Sequence, residues 1–84
     1  MSYWIEPKFK RRLEKKPTKM QAAIFETIKK LEQNPWPPGL AKPFRSKPGV
    51  WEAKVDRGNR LTFRLEGNVR VMLNHCNHDM LRTG

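Results

Sequence analysis

The stretch that decides the fold is VWEAKVDRGNRLTFRLEGNVRVML, residues 50–73. Apolar and polar residues alternate along it in three runs, and this period of two predicts strands that each bury one face. Gly58 and Gly67 separate the runs and mark the turns of a three-stranded antiparallel meander. The residues predicted to face inward are Trp51, Ala53 and Val55 on the first strand, Leu61, Phe63 and Leu65 on the second, and Val69, Val71 and Leu73 on the third.

The same alternation predicts how the strands pair, because a slip of one residue would place charged side chains in the core. With residues 57–59 as the first loop, Asp56 lies opposite Arg60 and Glu52 lies opposite Arg64. Both pairs then join opposite charges, which favours this register.

With residues 66–68 as the second loop, the same parity sets Arg64 beside Arg70 and Arg60 beside Asn74. Arg60 is therefore predicted at the end of the sheet where the third strand continues into the polar tail.

The first half of the chain predicts a short strand at residues 2–5 and two helices. Pro7 suits the first turn of a helix over residues 7–15, and a second helix begins near Thr18. Pro35 ends the second helix, because proline lacks the N–H that would continue it. The apolar residues on the buried face of the second helix are Met20, Ile24, Ile28 and Leu31.

The proline-rich stretch that follows reads as a loop held to the body by Trp36 and Phe44. The predicted fold class is therefore α+β: a short N-terminal strand, two helices, a three-stranded antiparallel meander and a short C-terminal tail. We expect a single domain over residues 1–84, because a chain of this length builds one core.

Charge and composition limit the classes of binding partner and the compartment that we expect. The 84 residues carry 18 Lys and Arg against 8 Asp and Glu, a net charge of +10, which favours a polyanion such as nucleic acid over a membrane. The alternatives are a soluble protein that is merely basic and a protein whose excess of positive charge is masked by an acidic protein partner. The single cysteine suits a reducing compartment, and no long apolar run suggests a signal peptide or a membrane span. We expect a cytoplasmic protein with no membrane partner.

The candidate chemistry lies where Arg60 meets the tail. A guanidinium beside His78 suits a phosphodiester, because Arg neutralises phosphate charge and His titrates near neutral pH. A salt bridge from Arg60 to Asp56 is an equally good interpretation, and His78 in a solvated tail is another. Lys54 alone reads as a solvated strand lysine, and Arg64 as a structural partner of Glu52.

A metal site is not favoured in the polar run from His75 to Asp79. Neighbouring residues of the run point to opposite sides of a strand, and no second Cys or third His completes a tetrahedral site. We expect no metal and no cofactor.

The first helix is densely basic, and this is more often a solvated face than a binding surface. In a chain of this charge it becomes a candidate for contact with a phosphate backbone. The predicted RNA-binding residues are Lys8, Lys10, Arg11, Arg12 and Arg64.

Taken with the order of elements, MQAAIFETIKKLEQNPWPPG (residues 20–39), the meander and NHDMLR (residues 77–82) resemble the RelE/ParE superfamily of toxins from toxin–antitoxin systems. The RelE-like branch cleaves mRNA in the ribosomal A site, using lysines on the first meander strand, an arginine at the start of the next and a tail residue. Lys54, Arg60 and His78 match those positions, whereas Glu52 stands where some members are basic.

The resemblance implies a toxin that inhibits translation as a ribosome-dependent mRNA endoribonuclease. His78 is then the general acid or base, Arg60 stabilises the developing charge, Lys54 holds the phosphate and Asp79 orients His78. The expected partners are mRNA, the ribosome and an acidic antitoxin, with which an oligomer can form. A ParE-like inhibitor of DNA gyrase without chemistry and a non-toxic RNA-binding module remain the alternatives.

Overall fold

The computed structural model describes residues 2–33 and 35–77 and shows the predicted α+β architecture. A five-stranded sheet with strand order β1-β5-β4-β3-β2 carries two helices against one face. In chain order the elements are β1 (Ser2–Ile5), α1 (Pro7–Glu14), α2 (Thr18–Leu31), β2 (Ala41–Pro43), β3 (Val50–Asp56), β4 (Asn59–Glu66) and β5 (Val69–Asn77).

The predicted meander forms the middle of the sheet, with β4 between β3 and β5. The N-terminal strand β1 is confirmed and runs parallel to β5, Ser2 pairing with Val69. Sequence reasoning missed β2, which lies inside the predicted loop and pairs antiparallel with β3, Ala41 opposite Ala53. Residues of this edge strand line a cavity at the same side of the sheet.

The helices pack through the predicted apolar faces. Phe9 and Leu13 of α1 are buried, and α2 begins at Thr18 and ends at Leu31, just before the residues that proline constrains. Three of the four residues predicted on the buried face of α2 are fully buried, and Met20 is partly buried against the same core. The sheet residues that complete this core are Ala53, Leu61, Phe63 and Met72.

The loop after α2 is held by its tryptophan, as predicted. The Trp36 ring lies edge-on to Trp51 at a centroid distance of 5.4 Å and to Phe63 at 5.6 Å. Such edge-to-face contacts stabilise aromatic pairs beyond their buried area. Trp36 therefore ties the loop between α2 and β2 to the helix side of the sheet.

Of the inward residues predicted for the third meander strand, Val71 is buried, but Val69 and Leu73 are only partly buried. Met72, opposite Phe63, belongs to the core cluster, whereas Val71 is buried outside that cluster. A register shift between Thr62 and Phe63 changes the parity along β5, so the alternation of Val69, Val71 and Leu73 does not mark the helix side.

Arg70 lies on the helix side for a specific reason. Its Nε–H donates to the main-chain oxygen of Leu31 at 2.8 Å, and its guanidinium lies 5.3 Å from the centre of the Trp36 ring. The last carbonyls of a helix lack partners within the helix, and a cation also complements the helix dipole. Arg70 thus closes the C-terminal end of α2. The residue is only 4% exposed, so this contact is buried.

The predicted register of the first hairpin is wrong by two residues. Lys54 pairs with Arg60, and Arg64 pairs with Val50 instead of Glu52. The turn contains two residues, 57 and 58, and the Asp56 carboxylate accepts hydrogen bonds from the Gly58 main-chain N–H at 2.9 Å and the Asn59 amide at 2.8 Å. The carboxylate therefore orders the turn and does not form the predicted ion pair with Arg60.

The predicted register of the second hairpin also differs. Arg60 lies opposite Cys76 instead of Asn74, and Leu65 instead of Arg64 lies opposite Arg70. The second turn likewise contains two residues, with Gly67 in the left-handed region at a φ of 60°. None of the helices within residues 2–33 and 35–77 is both long and apolar enough to cross a membrane.

Candidate functional site

A cavity of ≈ 240 Å³ lies at the β2 side of the sheet. Its walls come from the loop before β2, from β2 itself, and from polar positions of β3 and β4. The residues lining it are Gly39, Leu40, Ala41, Lys42, Glu52, Lys54 and Arg60. Two of the sequence-predicted catalytic residues, Lys54 and Arg60, therefore share one concave site.

Lys54 and Arg60 face each other across β3 and β4. Like charges at directly opposite positions are destabilising, so this pairing is not explained by stability. Within the described part of the chain neither side chain forms an ion pair with a carboxylate. Together they present two positive charges to the cavity, an arrangement suited to an anion such as a phosphate.

Main-chain oxygens hold the Arg60 side chain in place. Its Nη1–H donates to the main-chain oxygen of Asp56 at 2.8 Å and to that of Asn59 at 3.1 Å. These acceptors are neutral, so they orient the guanidinium without cancelling its charge. The strand ends that flank the β3–β4 turn are therefore part of the site, because they supply both acceptors.

Glu52 is also in the cavity, in a position that the sequence did not reveal. Its carboxylate lies 3.3 Å from Lys42 Nζ, and its side chain is 14% exposed whereas that of Lys42 is 75% exposed. The predicted partner, Arg64, instead contacts Glu66 at 2.9 Å and Glu6 at 3.5 Å. The Glu52–Lys42 pair was missed because it depends on β2, which the sequence pattern does not reveal.

A second, more open cavity of ≈ 460 Å³ adjoins the first. Both cavities are lined by Gly39, Leu40 and Lys54, so Lys54 lies at their junction. The remaining residues lining the second cavity are Lys30, Gln33, Pro37, Pro38 and Val55. A chain-like ligand bound at Lys54 can extend in either direction.

A second polar cluster joins Asp56, Asn59 and His75. The Asn59 amide donates to the Asp56 carboxylate, and its oxygen lies 2.8 Å from Nε2 of His75. Because a carboxylate only accepts, the Asn59 oxygen must face His75, so Nε2 carries a proton that it donates. His75 pairs with Leu61, a core residue, so it lies on the helix side of the sheet, away from Arg60.

Both ionisable groups of this cluster have shifted pKa values. Burial lowers the pKa of His75 from its usual 6.5, the nearby charge of Lys16 lowers it further, and Asp56 acts in the opposite direction. The hydrogen bond from Asn59 is the largest cause that lowers the pKa of Asp56 below its usual 3.8. Sequence reasoning treated His75 only as a metal ligand candidate. Among the described residues no three His, Cys, Asp or Glu side chains group as metal ligands.

The predicted RNA-binding residues lie on two elements. Lys8, Lys10, Arg11 and Arg12 are exposed on α1, and Arg12 Nη1–H donates to the Asn74 side-chain oxygen at 3.2 Å. Arg64 lies on β4 and is held by its two carboxylate partners. The two remaining predicted catalytic residues, His78 and Asp79, lie outside the described residues.

The architecture is shared with solved toxin structures. A chain of the RelBE2 toxin–antitoxin complex from Mycobacterium tuberculosis superposes with a TM-score of 0.72 at 22% identity, covering 92% of this chain and 96% of that one. The YoeB/ParE toxin from Agrobacterium tumefaciens gives 0.74 at 16%, covering 93% and 99%. This chain has the RelE/ParE toxin fold. A chain of the RelB–RelE antitoxin–toxin complex from Methanococcus jannaschii gives 0.71 at 11%, covering 95% of each.

No family model and no curated protein matches the sequence. The RelE/ParE fold is therefore recognised from the three-dimensional architecture, because the sequence identities of 11–22% are low whereas the structures still superpose. Within it, the cavity that holds Lys54 and Arg60 is the feature of this chain from which a function can be argued.

Proposed function

We propose that this protein is the toxin of a toxin–antitoxin pair and inhibits translation by cutting mRNA on the ribosome. The observation that carries the proposal is the placement of Lys54 opposite Arg60 in one cavity, without a carboxylate partner for either among the described residues. The RelE/ParE fold supports it, since solved structures with this fold include toxin–antitoxin complexes.

The proposed reaction uses the substrate's own ribose. Its 2′-hydroxyl attacks the adjacent phosphorus, the bond to the 5′-oxygen breaks, and a 2′,3′-cyclic phosphate forms. Lys54 holds the phosphate, and Arg60 stabilises the negative charge that develops on its oxygens. His78 transfers a proton, and Asp79 orients its imidazole.

The ribosome completes this site by positioning the substrate. Orientation of reacting groups can supply roughly 7–11 kcal/mol of a reaction barrier. Four exposed cations on α1 are available to contact the phosphate backbone of the ribosomal RNA or the mRNA. The proposal therefore includes little activity on free RNA.

The proposed regulator is an acidic antitoxin. A net charge of +10 favours an acidic, partly disordered partner that folds on binding. Such a partner would cover the Lys54 and Arg60 surface and so block the same charges that bind the phosphate. Measuring antitoxin binding and mRNA cleavage for the same Lys54 and Arg60 variants separates the two roles of this surface.

Mapping mRNA 5′ ends in a reconstituted translation reaction tests the proposal. The wild-type protein is expected to create new ends within A-site codons, and Arg60→Ala, Lys54→Ala and His78→Ala are expected to remove them. Arg45→Ala is the matched control, because Arg45 is an exposed cation in the loop between β2 and β3 and does not line the cavity.

Intact mRNA in the presence of active, folded protein would overturn the nuclease proposal. A DNA gyrase supercoiling assay is then the next experiment, since the ParE-like alternative predicts inhibition there and indifference to His78→Ala. Normal growth on expression without antitoxin would instead favour the RNA-binding module.

A further inference from the structure

The side chain of His75 is connected to the arginine of the cavity through a single residue. His75 lies on the helix side of the sheet, opposite Leu61, and the proposed reaction does not use it. Its Nε2–H donates to the Asn59 side-chain oxygen at 2.8 Å. The main-chain oxygen of the same asparagine accepts from Nη1 of Arg60 at 3.1 Å. Asn59 therefore connects a histidine on one face of the sheet to a guanidinium on the other.

We propose that His75 and Asn59 are positioning residues that hold the Arg60 guanidinium in the cavity. Neither of them lines the cavity, so each acts through the strand ends beside the β3–β4 turn and not on the substrate. The inference rests on the proposed function, in which Arg60 stabilises the negative charge that develops on the phosphate. It adds to that function the residues that fix the direction of the guanidinium.

The Asn59 side chain is held at both of its polar atoms. Its amide N–H donates to the Asp56 carboxylate at 2.8 Å, and its oxygen accepts from His75. This amide has one favourable orientation, because a half-turn would set its oxygen against the carboxylate and its N–H against the imidazole N–H. The side chain of Asn59 thus joins the end of β3, the start of β4 and the strand β5.

The hydrogen bond between the Asp56 and Asn59 side chains keeps the two acceptors of Arg60 together. Nη1 of Arg60 donates to the main-chain oxygens of Asp56 at 2.8 Å and of Asn59 at 3.1 Å. One nitrogen reaches both oxygens only while the two strand ends stay close. If the side-chain bond is lost, the strand ends can separate and the guanidinium can turn into solvent.

An irregularity in β3 produces this arrangement. Val55 is an extra residue between the pairs that Lys54 and Asp56 form with β4. In a regular antiparallel ladder Asp56 would lie opposite Gly58, whereas the extra residue sets it opposite Asn59. Bulges of this kind redirect side chains and are common next to active sites. The bulge is thus the local cause of the contact between the carboxylate and the amide.

His75 donates from a well-anchored position on β5. Its main-chain N–H donates to the Asn74 side-chain oxygen at 2.9 Å, and the same oxygen accepts from Arg12 of α1 at 3.2 Å. Leu61, which pairs with His75, is fully buried in the core. The imidazole is therefore attached to a strand that both the core and α1 hold in place, and it can fix the more exposed turn.

The test is single-turnover cleavage of mRNA on programmed ribosomes over a range of protein concentrations. His75→Phe keeps a ring but removes the donor, and Asn59→Ala removes both side-chain bonds. We expect the maximal rate to fall by about 10- to 100-fold in each, because small displacements of a group that acts on the substrate are costly. The concentration at half-maximal rate should stay close to that of the wild type, because Lys54 still holds the phosphate.

Two further variants serve as controls for these substitutions. His75→Gln should restore most of the rate, because the glutamine amide N–H can donate to the Asn59 oxygen in place of Nε2–H. Asn68→Ala removes an exposed asparagine from the β4–β5 turn, which does not line the cavity, and it should cleave at the wild-type rate.

A double-mutant cycle separates positioning from a purely structural role. If His75 acts through Arg60, then His75→Phe should lower the rate of the wild type but change nothing further in Arg60→Ala. A general loss of stability would instead lower the rate by the same factor in both backgrounds. Equal factors would therefore overturn the inference.

The motion of the Arg60 side chain tests the inference without substrate. The NMR order parameter of its Nε–H reports motion on the picosecond to nanosecond timescale. We expect this order parameter to fall in His75→Phe and in Asn59→Ala and to recover in His75→Gln. Equal values in all four proteins would show that the two residues do not hold the guanidinium.

These results distinguish the inference from the function on which it rests. If the wild-type protein leaves mRNA intact on ribosomes, the proposed function fails, and the NMR measurement still decides whether His75 and Asn59 hold Arg60. If the wild-type protein cleaves and both variants match its rate, the inference alone is overturned. Thermal unfolding identifies a variant that misfolds, and the other variant, which breaks the same connection at a different residue, then decides.

Discussion

Lys54 and Arg60 lie directly opposite each other on neighbouring strands, two cations at a position where opposite charges would be more stable. A single substitution on either strand would remove this repulsion. Both cations line the same cavity, an arrangement suited to an anion, so a substitution at either position should change stability and function in opposite directions.

Lys54→Gln should remove activity while leaving the fold intact or more stable. Relief of the repulsion with Arg60 is expected to raise the free energy of unfolding by about 0.5 kcal/mol, and loss of the phosphate contact should reduce translation inhibition at least tenfold. Urea unfolding and an in vitro translation assay measure the two effects. Lys47→Gln, an exposed loop cation, should change neither, and a clear loss of stability in Lys54→Gln would contradict the repulsion argument.

Arg70→Met should destabilise the protein strongly. It removes a charged donor from the Leu31 carbonyl at the end of α2, and we expect a loss of about 2–3 kcal/mol in the free energy of unfolding. For a domain of this size the melting temperature should fall by roughly 10 °C or more. Arg64→Met is the matched control, because its ion pairs are partly exposed and should contribute less than about 1 kcal/mol. Equal losses in both variants would argue against the helix-closing role.

The stability of the protein should depend on pH through His75. Its pKa in the folded protein lies below the usual 6.5, so the unfolded chain binds more protons between the two values. The contribution is therefore fully present above about pH 6.5 and is lost as the pH falls through the folded-state pKa. Urea unfolding of the wild type and His75→Gln over this range measures it. The wild type should lose more stability on acidification than His75→Gln, because only the wild type has His75 to protonate. His78 is common to both proteins, so the difference between them isolates His75.

A direct titration of His75 separates the causes of this shift. Lys16→Gln removes the second cause, so the His75 pKa measured by NMR should rise but stay below 6.5, since burial remains. The Asp56 carboxylate, whose pKa is lowered from 3.8, loses its contribution only at still lower pH, so the two groups act in different windows. A His75 pKa above 6.5 in the wild type would contradict the burial argument.

The basic face of α1 should control the salt dependence of RNA binding. Each phosphate contact removed by Lys8→Gln or Arg11→Gln should reduce the slope of log K against log salt by about 0.7 for single-stranded RNA. Filter binding of a single-stranded RNA at several salt concentrations measures the slope. Arg64→Gln should change it less, because Arg64 must first leave Glu6 and Glu66. If the α1 variants leave the slope unchanged, the basic side chains of α1 do not contact the RNA backbone and only form a solvated face.

Much of the fold was predictable from periodicity. Apolar residues three or four apart identified α2, and the alternation after Val50 identified three strands, because burial of one face is worth several kcal/mol for each element. The edge strand β2 gave no such signal. Ala41–Pro43 is a strand because β3 lies beside it, and a three-residue segment ending in proline has little preference of its own.

Strand register was not predictable from charge pairing. The predicted match of Asp56 with Arg60 is worth only about 0.2–1 kcal/mol, whereas the observed register orders the turn through Asp56 and Asn59. Irregularities in both hairpins shift the pairing in ways that an alternating pattern does not show. The sequence named Lys54 and Arg60 as candidates, but their position opposite each other across the strands, and the position of Glu52 in the same cavity, depend on tertiary structure.

The pairing of Ser2 with Val69 in the parallel β1–β5 ladder determines when β1 can join the sheet. During synthesis β1 and both helices are made before β5, so the first strand has no neighbour and the apolar faces of α1 and α2 lack most of their sheet until the later strands follow. Closing so long a stretch of chain is an entropic cost met late in folding. The nascent chain can therefore pair β2, β3 and β4 in the order in which they are made, but β1 joins the sheet only after β5 has emerged.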